Sequence, residues 1–212
     1  MIRADVVVRG DGQASAMPDL AVVWLTVEAD ADSGQEAYAR ASVACEAVDA
    51  VLADHADAIE RLMTASLVLA PLSRYRQGAW GYRARRTTSL DVTNFDALGR
   101  LLAQVVDAGG TPDGLSWQLR PSNPVFDEAR CRAAEQARAK AETYASALGL
   151  HLGQVVWIAD PGIQSAVTPT RPGRPERYLG PAVPLAADMP MEVSSGPMTV
   201  SAALEVGFSL AR

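Results

Sequence analysis

This sequence is poor in the side chains that most often bind metals or form reactive nucleophiles. It has two histidines, His55 and His151, and two cysteines, Cys45 and Cys131, in 212 residues. Neither histidine has a Cys, Asp or Glu at the spacing of a recognised metal motif. Both cysteines fall in predicted helices, outside any paired motif, so we expect two small unpaired residues, with a single disulfide as the alternative.

The motifs of the common enzyme classes are also missing. The sequence contains no G-x-S-x-G, no phosphate loop with GK[ST], and no G-x-G-x-x-G after a predicted strand. Gly10-Asp11-Gly12 has no helix directly after it, and we interpret it as a turn rather than a phosphate site. We therefore predict no catalytic residue, no cofactor and no enzymatic activity.

Charge and hydropathy exclude two further classes. The net charge of -6 and the pI near 4.9 argue against a nucleic-acid-binding protein, which needs a basic surface. No window approaches the roughly 18 apolar residues of a membrane-spanning helix, and the N-terminus lacks the apolar core of a secretory signal. As the chain stands we expect it in the cytoplasm, or in the periplasm or cell envelope if a signal has been removed.

Alternating apolar residues predict the strands of an antiparallel-rich sheet. The most regular is Met198–Leu210, which must pair with an earlier strand because its apolar side chains share one face. The order of elements indicates an α+β protein with three main helices on one face of the sheet. The other predicted strands are Val6–Arg9, Leu20–Ala29, Ile59–Leu72, Tyr82–Val92, Leu115–Leu119 and Val155–Ala159.

Capping signals place the first two helices. Ser33, with Glu36 three residues later, forms a capping box for the first helix. Thr93 or Asn94 caps the second, which should stop at Gly109-Gly110.

The third helix is predicted from about Pro124 to Leu148. Its predicted inner face is rich in alanine, whose small side chain would let the helix lie close to a sheet. The residues of this face are Ala129, Ala133, Ala137, Ala141, Tyr144 and Leu148. Its charges pair at i,i+4, which explains them without a ligand.

The segment 161–190 differs in composition from the rest of the chain. It holds seven of the thirteen prolines and shows almost no periodicity, which predicts a loop or a flexible insert. Because the regular strand after it must return to an earlier one, we predict a single domain over residues 1–212.

The segment Leu67–Val92 reads as a long central hairpin that turns at Gln77-Gly78. Its second arm alternates cleanly from Tyr82, and only Arg86 breaks the pattern. Arginines and aromatic residues are concentrated here in an otherwise acidic chain, as on surfaces that contact a partner. The candidate partner or oligomer surface comprises Arg74, Tyr75, Arg76, Trp80, Arg83, Arg85 and Arg86.

Several short motifs, in their order and spacing, resemble the SIMPL domain family, whose bacterial relatives are mostly known as periplasmic immunogenic or oxidative-stress-defence proteins. They are Val8-Arg9-Gly10-Asp11-Gly12, Pro18-Asp19, Gly81-Tyr82-Arg83-Ala84, Leu98-Gly99, the run Asp127 to Glu142 with Ala147-Leu148-Gly149 after it, and Met198 to Val206. The resemblance implies an α+β single domain, no known cofactor, no established catalytic residues, and homo-oligomers that are ring-like in some relatives.

Three functional hypotheses follow. The first is a non-enzymatic, self-assembling SIMPL-type protein, linked to stress defence or signalling scaffolding, with a second copy as the favoured partner. The second is an enzyme or small-ligand protein with a site around Trp24, Trp117 and Trp157. The third is a protein that binds an anionic partner through the hairpin residues 74–86.

Overall fold

The computed structural model describes residues 4–73, 80–161 and 195–212, and these form an α+β fold, as predicted. Every strand pair is antiparallel. The elements are β1 (Val6–Ala16), β2 (Leu20–Ala31), α1 (Gly34–Asp54), β3 (Ile59–Thr64), β4 (Val68–Ser73), β5 (Trp80–Val92), α2 (Phe95–Asp107), β6 (Thr111–Gln118), α3 (Val125–Ala147), β7 (His151–Ala159) and β8 (Met198–Ala211). The strands form two sheets, where the sequence suggested one. The strand order is β1-β8-β7 in the first and β3-β5-β2-β6 in the second, where β4 also pairs with β5.

The chain divides into two compact units, each built on one sheet. One unit contains β1, α3, β7 and β8, and the other contains β2 to β6 with α1 and α2. A single domain over residues 1–212 stays a prediction. The predicted insert at 161–190 lies outside the described residues, apart from its first residue.

The five-stranded unit is closed by α1 and α2, which cover one face of its sheet, called here the inner face. The helices start as predicted, since Ser33 Oγ accepts from the Glu36 N–H and Asn94 Oδ1 accepts from the Ala97 N–H. Gly109 ends α2 with a φ of 88°. The buried core consists of Ala21, Val23, Leu25, Val27, Cys45, Val48, Leu52, Leu90, Val92, Leu98, Leu101, Leu102 and Val105.

The predicted C-terminal strand is confirmed, and the structure makes it the central strand of the three-stranded unit. β8 pairs with β1 from Val6 opposite Phe208 to Ala16 opposite Met198, and with β7 on its other side. Its buried Val206 and Phe208 pack with Val8 against α3.

The turn predicted at Gly10-Asp11-Gly12 is wrong, because β1 continues through these residues to Ala16. The two glycines let α3 approach the strand closely. A Cβ on Gly10 would lie 2.0 Å from the carbonyl oxygen of Ala133, and one on Gly12 would lie 2.2 Å from that of Ala129. Their lack of a side chain therefore serves helix packing rather than a turn.

The strand predicted between the first helix and the central hairpin is also corrected. The segment predicted as one strand, Ile59–Leu72, forms β3 and β4, both of which pair with β5. As expected for an edge position, Pro71 lies in β4, which pairs with β5 alone.

On α3, Tyr144 and Leu148 are exposed, although the sequence predicted them on the inner face. The buried row instead continues at i+4 spacing from Ala141 to Ala145.

Candidate functional site

The predicted central hairpin is present, with β4 paired to β5 from Val68 opposite Arg85 to Ser73 opposite Trp80. Its second arm, β5, lies inside the sheet because β2 pairs along its other side. Of the candidate surface residues, Arg74, Tyr75 and Arg76 lie outside the described residues, and for Trp80 only the backbone is described. The structure thus places three of the seven side chains, those of Arg83, Arg85 and Arg86.

Arg83 projects from the outer face of the sheet, opposite the face covered by the helices. It stands directly across from Asp30 of β2, and its Nε and Nη2 donate to the two carboxylate oxygens at 2.7 and 2.8 Å. Glu28 lies 3.5 Å from the same guanidinium. The hydrogen bond to Asp30 and the charge of Glu28 raise the pKa of Arg83, so its charge is matched within the chain.

Arg85 is the neighbouring arginine on the outer face. Its Nη2 donates to Thr26 Oγ1 at 3.2 Å and lies 3.3 Å from Asp113 Oδ2. The Thr26 hydroxyl also donates to Asp113, which joins β2, β5 and β6 in one polar network. An anionic partner would therefore compete with Asp113 at Arg85 and with Asp30 at Arg83.

An open groove of about 460 Å³ runs beside these arginines. Its lining is mostly small or apolar: Ala65, Ser66, Val68, Ala70, Arg83, Arg85 and Thr87. The guanidinium groups at its side are engaged with carboxylates, so the groove does not present converging free polar groups of the kind that enzymes use.

Arg86 lies on the inner face, against α1, and does not share a surface with Arg83 and Arg85. Its side chain is 10% exposed, and Nη1 and Nη2 donate to the carboxylate of Asp49 at 2.8 and 2.6 Å. Nη2 also donates to the Cys45 carbonyl at 3.2 Å, and Nε has no partner among the described residues. Hydrogen bonding to Asp49 raises the pKa of Arg86. The break in the strand pattern thus marks an ion pair between strand and helix in which the Arg86 side chain is largely buried and that of Asp49 is half exposed.

The acidic partners were missed by the reasoning from sequence. Glu28 and Asp30 had a signal, because they lie on the polar face of a predicted strand, where they could match arginines on a neighbouring strand. No sequence signal marked Asp49 as a partner, since only the fold brings α1 against Arg86 of β5.

The two cysteines are free and differ in environment, since Cys45 is buried in α1 and Cys131 is exposed on α3. Burial raises the pKa of the Cys45 thiol, and the nearby Arg86 offsets this only in part. Cys45 is therefore a protonated, protected thiol at neutral pH, which is the opposite of a reactive site.

We expect a thiol reagent at neutral pH to label Cys131 quickly and Cys45 only after denaturation. Mass spectrometry of the folded protein should show one modified cysteine, and the Cys131→Ser variant should show none. Rapid labelling of Cys45 in the folded Cys131→Ser variant would contradict this assignment.

The fold gives the remaining candidate residues, a histidine and three tryptophans, different surroundings. His55 caps the end of α1 and its Nε2 lies 2.6 Å from Gln104 Oε1, and the described residues contain no group of side chains suited to a metal. Trp24 projects from the outer face, whereas Trp117 packs edge-on against Phe95 in the core, with ring centroids 4.8 Å apart. Trp157 belongs to the other unit, opposite Gly207. The three tryptophans therefore form no common site within the five-stranded unit.

Comparison with known proteins gives a match over nearly the whole chain. The family model SIMPL, described as a protein of unknown function (DUF541), matches residues 6–208. The 26 kDa periplasmic immunogenic proteins of Brucella melitensis biotype 1 and Brucella abortus strain S19 are each 30% identical over 174 residues, which cover 74% of this chain and 66% of the relative. The chain thus spans just under two thirds of their length.

A solved structure is similar only weakly. A hydantoinase/carbamoylase family amidase from Burkholderia ambifaria gives a TM-score of 0.30 at 17% identity, covering 57% of this chain and 34% of the amidase. Within the described residues, no helix combines the length and apolarity that a membrane crossing requires.

Proposed function

Since this chain belongs to the SIMPL family, we propose that it is a non-enzymatic protein that assembles with further copies of itself. A periplasmic location is proposed from the names of the Brucella relatives. Stress defence or signalling scaffolding is the role that the family resemblance suggests. The relatives thus favour the second of the two locations that the sequence left open.

The observation that carries this proposal is an exposed apolar stretch at the edge of the five-stranded sheet. Leu62 and Met63 of β3 and Val68 and Leu69 of β4 are between 43% and 60% exposed. Exposed apolar side chains on a strand edge are typical of protein contacts, because both the side chains and the backbone gain by pairing. We call this surface the β3–β4 edge.

The paired arginines support a non-enzymatic role in a different way. Arg83 and Arg85 are bound to Asp30 and Asp113, so these two arginines of the hairpin join neighbouring strands. Such cross-strand charge pairs stabilise a sheet and leave little free charge to bind a substrate.

Light scattering of the full chain tests the proposed self-assembly. We expect the mass to rise above that of one 22.4 kDa chain as the concentration passes through the micromolar range. High salt should not dissociate the assembly, because the proposed contact is apolar. A strict monomer at every concentration and salt level would overturn the proposal.

A further inference from the structure

We infer that the β3–β4 edge pairs antiparallel with the same edge of a second copy, about a twofold axis between Ala65 and Ser66. This inference rests on the proposed self-assembly and names the surface that performs it. Such a contact is isologous and would join two five-stranded sheets into one continuous sheet.

The edge strand of the three-stranded unit is protected against such pairing. Side chains of α3 bond to the backbone of β1, which is at one edge of that sheet. Lys140 Nζ donates to the Arg9 carbonyl at 2.9 Å, Arg132 Nη1 donates to the Gln13 carbonyl at 2.5 Å, and Gln136 Oε1 accepts from the Asp11 N–H at 2.7 Å. A helix that covers an edge in this way prevents another strand from adding to it.

The edges at β6 and β7 are irregular. The register of β6 against β2 shifts between Trp24 and Leu25, and that of β7 against β8 shifts on both sides of Val155. Shifts of this kind twist a strand away from a flat neighbour. The β3–β4 edge has a bulge of its own at residues 65–67, where three residues face Arg86 and Thr87 of β5, and on either side of it the register is continuous from Arg61 to Thr64 and from Val68 to Ser73.

Charge favours a second copy as the occupant of this edge. No residue from Leu62 to Ser73 is ionisable, in a chain with 21% charged residues. Twofold pairing brings a segment against itself, so any charge near the axis would meet its own sign. An uncharged edge avoids that repulsion and offers nothing to attract a charged partner.

The order of side chains about the proposed axis is self-complementary. Pairing centred between Ala65 and Ser66 sets Leu62 opposite Leu69 of the second copy, and Met63 opposite Val68 of the second copy. Each copy would thus supply four apolar side chains that meet apolar side chains.

The pleat of the sheet is compatible with this register. Met63 and Val68 stand opposite Ser89 and Arg85 of β5, whose side chains alternate with the buried ones and so lie on the outer face. Leu62 and Leu69 stand opposite the buried Leu90 and Ala84, on the inner face. Opposite residues of an antiparallel pair share a face, and both proposed pairs satisfy this condition.

The proposed contact is small, and its area determines the dimer affinity that we expect. Two strands paired over about eight residues, at ~3.3 Å per residue, extend for roughly 26 Å. The buried area would be at or below the low end of specific interfaces, about 1,200 Å². We therefore expect a dimer with micromolar affinity rather than a permanent one.

An engineered disulfide tests the register. In a Cys131→Ser background, Met63→Cys combined with Val68→Cys should give a covalent dimer under mild oxidation, since opposite Cα atoms lie about 4.5 to 5.5 Å apart, as disulfides require. Either cysteine alone should give none, because its symmetry mate would be about five residues, or ~16 Å, away along the strand. Non-reducing electrophoresis separates these outcomes.

A charge substitution tests the same surface without a cross-linking reaction. Met63→Glu should weaken dimerisation at least tenfold in light scattering, whereas Val43→Glu, on an α1 residue that is 68% exposed, should leave it unchanged. Unchanged thermal unfolding would show that both variants are folded.

The outcomes separate the two proposals. If the wild type assembles but the double-cysteine variant does not cross-link and Met63→Glu assembles normally, the edge assignment is wrong and self-assembly stands. If the wild type is a strict monomer and no cross-link forms, both are wrong. Cross-linking of the single-cysteine variants would overturn the register.

Discussion

The Gly10→Ala variant should lose about 3 kcal/mol or more of its free energy of unfolding. The added Cβ would lie 2.0 Å from the Ala133 carbonyl oxygen and 2.8 Å from the Ala137 side chain. The first of these is backbone inside α3, so no rotamer change relieves the clash. The helix must move away from β1, which also separates Val8 from the residues it packs against in that unit. This is a large part of the roughly 5 to 15 kcal/mol that stabilises most native proteins.

Urea unfolding followed by circular dichroism measures this effect. Gly196→Ala is a matched control, because a Cβ at Gly196 would have no atom within 4 Å. That variant should change stability by no more than about 1 kcal/mol in either direction. Gly12→Ala should be as damaging as Gly10→Ala, since its Cβ would lie 2.2 Å from the Ala129 carbonyl oxygen. Wild-type midpoints for both strand variants would show that α3 does not approach β1 as described.

Asp49→Ala should destabilise the chain by about 2 kcal/mol, because the Arg86 guanidinium would remain buried without its carboxylate. Removing one partner of a fully buried ion pair costs about 3 to 5 kcal/mol. The effect should be smaller here, since the Asp49 side chain is 49% exposed and water can enter when it is removed. The Arg86 side chain itself is only 10% exposed.

A double-mutant cycle distinguishes this ion pair from ordinary packing. Arg86→Met removes the buried charge while keeping most of the side-chain volume, so adding it to Asp49→Ala should recover most of the lost stability. Glu46→Ala, at an exposed acidic position of the same helix, should change stability by less than about 0.5 kcal/mol. Additive effects of the Asp49 and Arg86 substitutions would contradict the proposed coupling.

Local signals predicted the elements whose cause lies within a few residues. Ser33 and Glu36 correctly placed the start of α1, because a capping box is a contact between near neighbours. The alternation of Met198–Leu210 correctly predicted a paired strand, because a period of two is the spacing at which a strand places its side chains on one face.

Where one local pattern has two physical causes, the prediction was wrong. Glycines at positions 10 and 12 are typical of a turn, but they are equally suited to a strand on which a helix lies closely. Only the position of α3 distinguishes these causes. Similarly, Tyr144 and Leu148 fit an apolar helical stripe, yet the buried row continues to Ala145 because the sheet contacts that side of the helix.

The candidate site on the central hairpin likewise depends on distant segments that a local pattern does not report. Its arginines were visible as a cluster in the sequence, but strand direction sends Arg83 and Arg85 to one face and Arg86 to the other. Their carboxylate partners lie 28 to 55 residues away along the chain. No local pattern reports such pairs, and the three arginines of the candidate surface that the structure describes are paired charges.

By itself, the sequence determined the α+β class, the SIMPL family and the starts of the first two helices, because motifs and periodicity are read from neighbouring residues. The tertiary structure decided which strands form edges, which charges are matched, and where helix and strand backbones touch. These properties depend on contacts between distant segments, and their free energies exist only once the chain has folded.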